Sequence, residues 1–153
     1  MDAKHFRNVA GKFATGITII TVKTDDQVHG MTVNGFMSVS LEPPLIMVSI
    51  GNQQKMLDHL IQSGRFGVSI LKEDQENISS HFAGKPDEKL KVDFLDINDT
   101  PILQNHLAYF VAKVVNTHKE GDHTLFVGEV EECTAAETQE GPLLFFGGGY
   151  RRL

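Results

Sequence analysis

Two long segments, Leu107–Thr117 and Thr124–Glu132, limit the possible folds more than any other feature. Both are rich in β-branched and aromatic residues, and Lys119-Glu120-Gly121-Asp122 between them supplies a turn. Side chains alternate across a strand, so Leu107, Tyr109 and Val111 point to one face and Ala108, Phe110 and Val114 to the other. Apolar residues on both faces require both faces to be covered. A closed antiparallel barrel whose outer wall meets helices or a second subunit satisfies that demand.

The rest of the chain adds short strands and a few short helices. Asp2 is placed to cap a first helix with Phe6, Val9, Ala10 and Phe13 on one apolar face. Strands are expected at Ile17–Val22, from Val28 toward Ser40, at Leu45–Ile50, at Arg65–Leu71 and at Leu143–Phe146. Pro43-Pro44 closes the second of these, because proline donates nothing to a ladder. Lys55–Ser63 reads as a helix stopped by Gly64, and Asp74–Ala83 as a helix capped by Asp74. Lys85–Pro101 is irregular and charged and reads as the longest loop. Six or seven strands without regular βαβ alternation point away from a doubly wound sheet and toward a mainly β fold.

At 153 residues, with ten Phe and 41% apolar residues, the chain has the length and content of a single domain spanning 1–153. Such a domain has a radius of gyration of about 15 Å. That is small for a site holding two bulky cofactors, so a site shared between subunits is expected. The net charge of −6 has the wrong sign for a nucleic-acid backbone. Cys133 is the only cysteine, which excludes an intrachain disulfide or a thiolate metal cluster. The first residues carry no apolar targeting segment, and no apolar run approaches the ~20 residues of a membrane span. The expectation is a cytoplasmic protein.

Motifs for the common chemistries do not occur. There is no phosphate-binding G-x-x-x-x-G-K-[ST] loop, no G-x-G-x-x-G after a strand and no G-x-S-x-G nucleophile elbow. His118, Asp122 and His123 flank a turn, yet metal sites want three or four converging ligands, and no metal is expected. Asp93, Asp96 and Asp99 read as a solvated face. Chemistry carried by a bound organic cofactor needs few catalytic side chains, because the protein supplies binding and orientation.

Five stretches carry a family resemblance. They are Gly11-Lys12-Phe13-Ala14-Thr15-Gly16-Ile17-Thr18-Ile19, the run from Gly30-Met31-Thr32-Val33-Asn34 to Leu41-Glu42-Pro43-Pro44-Leu45, Phe82-Ala83-Gly84, Gly121-Asp122-His123-Thr124 and Pro142-Leu143-Leu144-Phe145-Phe146. In this order, from about Phe6 to Tyr150, the chain resembles the short-chain flavin reductases, the reductase components of two-component monooxygenases acting on phenol or 4-hydroxyphenylacetate. The resemblance implies a Greek-key split β-barrel, a homodimer, FMN or FAD as flavin and NADH or NADPH as hydride donor. It also implies a separate monooxygenase that receives the reduced flavin.

By that resemblance Thr32, Val33, Asn34, Ser38, Val39 and Ser40 hold the isoalloxazine and ribityl groups. Ser49, Asn52, Gln53, Gln54 and Lys55 meet the ribityl chain and phosphate, and Ser80, Phe82 and Lys85 the phosphates or adenine. His123, Phe145, Phe146 and Tyr150 are assigned to the nicotinamide dinucleotide. The residues alone leave other readings open: a polar strand face for the Thr and Ser, a surface lysine for Lys55, and core packing for Phe145 and Phe146. Two positions depart from the family pattern. Gly35 stands where Ala or Ser is common, and Gly149 where Lys or Arg is common, with Arg151 or Arg152 available as substitutes. A non-catalytic flavin carrier on the same barrel is the alternative function. An amine oxidase resembling the pyridoxamine-phosphate enzymes is disfavoured by Gly121-Asp122-His123.

Overall fold

The computed structural model describes residues 1–153. Helix α1 (Ala3–Ala10) begins at Asp2, whose carboxylate accepts from the Lys4 amide. Strands β1 (Thr15–Gly16), β2 (Thr18–Thr24), β3 (Gln27–Val33), β4 (Phe36–Leu41) and β5 (Pro44–Gly51) follow, then α2 (Met56–Ser63) and β6 (Arg65–Ile70). Helix α3 (Glu76–His81) precedes the hairpin β7 (Phe94–Ile97) and β8 (Thr100–Leu103). The long pair β9 (Ala108–Glu120) and β10 (His123–Ala135) leads to a last hairpin, β11 (Leu144–Phe146) and β12 (Gly149–Arg151).

Seven strands form one antiparallel sheet in the order β3-β2-β6-β9-β10-β5-β4. Its two edge strands, β3 and β4, are neighbours in sequence, joined only by Asn34-Gly35. The sheet therefore curls into a barrel that is split at this point. The continuous strand expected from Val28 toward Ser40 is broken there, and Ser49 N–H donates to the Gly35 carbonyl at 2.9 Å to hold the break.

The curled sheet encloses a core of Ile20, Val22, Val33, Ile46, Val48, Ile50, Phe66, Val68, Ala112 and Phe126, plugged by Met56 and Leu60 of α2. Gly64 ends α2 in the left-handed region at φ 69°, as a C-terminal stop requires. Outside the barrel, Ile17, Ile19, Leu71, Leu103 and Leu143 form a second core beneath α3 and the last hairpin.

Both faces of the first half of β9, Ala108–Ala112, are covered, and the outer cover there comes from a further hairpin of the same chain. Tyr109 and Val111 pack on Ile102 and Ile97, which belong to the β7–β8 hairpin. Of the segment that reads as a loop, residues 85–93 carry no strand or helix, whereas the part from Phe94 to Pro101 belongs to this hairpin. Its turn uses Asn98 and Asp99 at φ 53° and 60°, a conformation that both residue types tolerate better than most. The hairpin lies so close to β6 that a Cβ on Gly67 would meet the Pro101 carbonyl at 2.5 Å. Lys23 bridges β2 to the hairpin through Asp96 (2.9 Å) and Asp99, so these acids are not merely solvated. Helix α3 is shorter than Asp74–Ala83, and Asp74 does not cap it.

Candidate functional site

Two cavities run along the inner side of β3 and meet at Met31 and Gln54, which line both. The smaller, about 260 Å³, is a groove between the barrel's split edge and the β9–β10 turn, lined by Thr32, Val33, Asn34, Gly35, Ser49, Gly51 and His123. The larger, about 520 Å³, is bounded by Val28, His29 and Gly30 of β3, by Gln53, Lys55, Met56 and His59, and by Phe82. Gly30 has no side chain because Phe82 covers it: a Cβ there would stand 2.7 Å from the ring.

The hydrogen bonds separate the expected site residues into those with free polar groups and those already committed. Asn34, Ser49, Gln53, Gln54 and Lys55 line these cavities, and their side chains have no protein partner. Thr32 is committed, donating its hydroxyl to the Ser79 carbonyl at 2.6 Å and its amide to the Phe82 carbonyl at 3.1 Å. It fixes α3 against β3 and exposes little else to a ligand. The Val33 side chain points into the barrel core and its carbonyl accepts from the Thr18 hydroxyl at 2.7 Å, so Val33 contributes shape to the groove. Asn52 is a clamp for the β9–β10 turn: its amide donates to the Gly121 carbonyl at 3.2 Å and its oxygen accepts from the Thr124 hydroxyl at 2.7 Å.

Ser38, Val39 and Ser40 lie on the outer edge strand β4, where Val39 forms a bulge, and line none of these cavities. Ser80 and Lys85 sit at the end of α3 on the far side of Phe82, the Lys85 amide donating to the Ser80 carbonyl at 3.2 Å. Within this chain, neither group is brought to the groove.

His123 opens β10 and pairs with Gly51 of β5, its Nε2 lying 3.9 Å from where a Cβ on Gly51 would stand. Asp122 binds Nδ1 at 2.7 Å, and His123 in turn holds the Asp122 carboxyl below its usual range. With Nδ1–H directed at a carboxylate, Nε2 accepts a hydrogen bond when the ring is neutral and donates only when the ring is charged. Phe145 packs edge-on against Tyr150, and the Tyr150 hydroxyl shares a 2.8 Å hydrogen bond with Ser79. Both line a third, small cavity with Thr32 and Asn34, so Asn34 joins this pocket to the groove. Phe146 is exposed, with Lys12 Nζ 5.7 Å from its ring centre. Arg151 folds back over Gly149, its guanidinium 2.7 Å from where a Cβ at 149 would stand. It fills the space that the larger side chains of the family pattern would take.

His29 and His59 are the site residues that sequence reading missed. Their rings stack at 3.5 Å with an interplanar angle of 9°, both against the Thr24 hydroxyl, on the wall of the larger cavity. One residue lies on a strand and the other on a helix, thirty positions apart, and no spacing rule links them.

A split antiparallel barrel with a groove of free amides and hydroxyls at its seam, continued by a second cavity under an aromatic ring, defines a flavin-binding barrel. Residues 10–153 match the model of the flavin reductase like domain, and the chain belongs to that family. It is 43% identical to an NADH-dependent flavin reductase of a Rhodococcus species, with 97% of this chain and 85% of the relative covered. It is 38% identical to the reductase component of 4-hydroxyphenylacetate 3-monooxygenase from Thermus thermophilus, covering 97% and 95%. A solved flavin reductase in its native state superposes with a TM-score of 0.95 at 47% identity, covering 100% of this chain and 99% of the other.

Proposed function

We propose that the chain is an NAD(P)H:flavin oxidoreductase that reduces FMN or FAD and hands the reduced flavin to a separate monooxygenase. The observation that carries this is the groove at Asn34, Ser49, Gln54 and His123, continuous with the larger cavity. Relatives named for NADH-dependent reduction of FMN and of FAD support it.

The donor set fits a flavin. Its ring edge alternates donors and acceptors, and Asn34, Ser49 and Gln54 offer both kinds without a competing protein partner. A flavin held there would itself supply the hydride-accepting chemistry, so the site needs no protein base. Asn34 and the Gly35 amide would orient the ring and ease negative charge on its polar edge by donating hydrogen bonds, a role like that of an oxyanion site. The free polar face of Gln53, Gln54 and Lys55 receives the ribityl chain and phosphate. His123, oriented by Asp122, holds the dinucleotide from beside Gly51. Phe145 and Tyr150 close the end near Asn34.

The working unit in this reading is a single domain in a cytoplasmic homodimer. A second copy would cover α1, where Phe6 and Phe13 are 62% and 80% exposed, and would bring Ser38–Ser40 or Lys85 of one subunit to the groove of the other. Steady NADH oxidation in the presence of a large excess of free flavin tests the proposal. A single stoichiometric reduction without turnover would instead mark a flavin carrier.

A further inference from the structure

We propose that the His29–His59 stack is a proton-gated contact for the phosphate-bearing tail of the flavin, one ring taking up a proton as the anion arrives beside Lys55. This rests on the flavin reductase reading and assigns a role to two residues that it leaves idle.

The stack sits on the wall of the larger cavity, beyond Gln54, where a tail leaving the ring groove must run. One hydroxyl, Thr24 Oγ1, reaches His29 Nε2 at 2.9 Å and His59 Nδ1 at 3.2 Å. It donates to one ring and accepts from the other, which fixes both ring orientations. The remaining nitrogens, His29 Nδ1 and His59 Nε2, have no protein partner and are not buried. A stacked pair that only filled space would not need two rings with free nitrogens on a cavity wall.

Burial, and then His59, hold the His29 imidazole below the ordinary histidine value, while Asp25 in the β2–β3 turn opposes the shift. The other charged groups around the stack are Asp26 in the same turn and Lys55 and Asp58 on α2. The unliganded His29 ring is thereby biased toward its neutral form. Two imidazolium rings at 3.5 Å repel each other strongly, so the pair accepts one proton rather than two. A phosphate beside the rings favours the charged form and draws that proton in. Linkage then requires tail affinity to rise as pH falls, and the gain to vanish above the range in which the pair titrates.

FAD is the suitable probe, because its diphosphate stays charged, whereas the FMN phosphate itself titrates near pH 6. Riboflavin, which has no phosphate, reports the ring groove alone. Flavin fluorescence quenching is titrated between about pH 6 and pH 8, with calorimetry in two buffers of different ionisation enthalpy. The dissociation constant for FAD should fall about tenfold or more toward the acid end, with net proton uptake, while that of riboflavin stays flat. His29→Gln and His59→Gln should each flatten the FAD curve. Riboflavin affinity and circular dichroism verify that each variant is folded. If FAD and riboflavin show the same slope in the unmodified protein, or if no protons are taken up, the proposal is wrong without recourse to any variant. Variants that fold and keep the slope also overturn it. If flavin of no kind binds at any pH, the reductase reading itself fails, and the role of the stack with it.

Discussion

Single residues in this protein divide by whether their polar atoms are already engaged. Asn52 and Thr32 lie among the expected ligands yet spend their hydrogen bonds on the protein. Asn34, Ser49 and Gln54 are free. His123 is intermediate, with Nδ1 held by Asp122 and Nε2 open to the groove. A hydrogen bond to a charged group is worth about 1.5–3 kcal/mol, so with the charged ring donating Nε2–H to the dinucleotide pyrophosphate, His123→Ala should lower kcat/KM for NADH by roughly 10- to 150-fold. The loss should fall mainly on KM, because the contact persists from ground to transition state. Kinetics at saturating flavin, with fluorescence titration of flavin affinity, decide the matter. Collapse of flavin binding with an unchanged KM for NADH would place His123 in the flavin site. The residue motifs mark residues of which several line the cavities, but not which members are free. Engagement depends on partners such as Ser79 and Gly121, 47 and 69 positions away, and no local pattern encodes them.

At the scale of elements, the sequence is most legible where periodicity and punctuation agree. The helix over Lys55–Ser63 with its Gly64 stop, and the long pair with its Gly121-Asp122 turn, stand where they are expected. The β7–β8 hairpin is the element that sequence reading missed. Its strands are only four residues each, and Asp93, Asp96 and Asp99 give it the charge of a loop. That charge has a purpose, since Lys23 gathers Asp96 and Asp99 and so ties the hairpin over β2 and β6. The ion pair holds the Asp96 carboxyl below its ordinary range and pushes the Lys23 ammonium up. A depressed carboxyl contributes stability that is present above its unfolded value, near 3.9, and is lost as pH falls through its folded value. Thermal melts from about pH 7 down to about pH 3 should therefore show acid destabilisation that Lys23→Met reduces. Equal acid sensitivity in both proteins would mean that the bridge contributes nothing measurable, as many exposed pairs do.

For the whole molecule, the demand that both faces of β9 be covered implies a barrel, and the β7–β8 hairpin supplies the outer cover for its first half. Exposed apolar surface remains on Phe6, Val9, Phe13, Leu41 and Ile61, and on Val115 in the second half of β9. A dimer should appear in light scattering at twice the 16.9 kDa chain mass, and Phe6→Ser with Phe13→Ser should shift it toward the monomer. A fully active wild-type monomer would refute this. The placement of Asn34-Gly35 has a different consequence. These two residues join opposite margins of one sheet, and the groove opens over them, so a guest can come and go without parting any pair of hydrogen-bonded strands. In the proposed reductase, loading and unloading would thereby be uncoupled from the rigidity of the frame that aligns the guest.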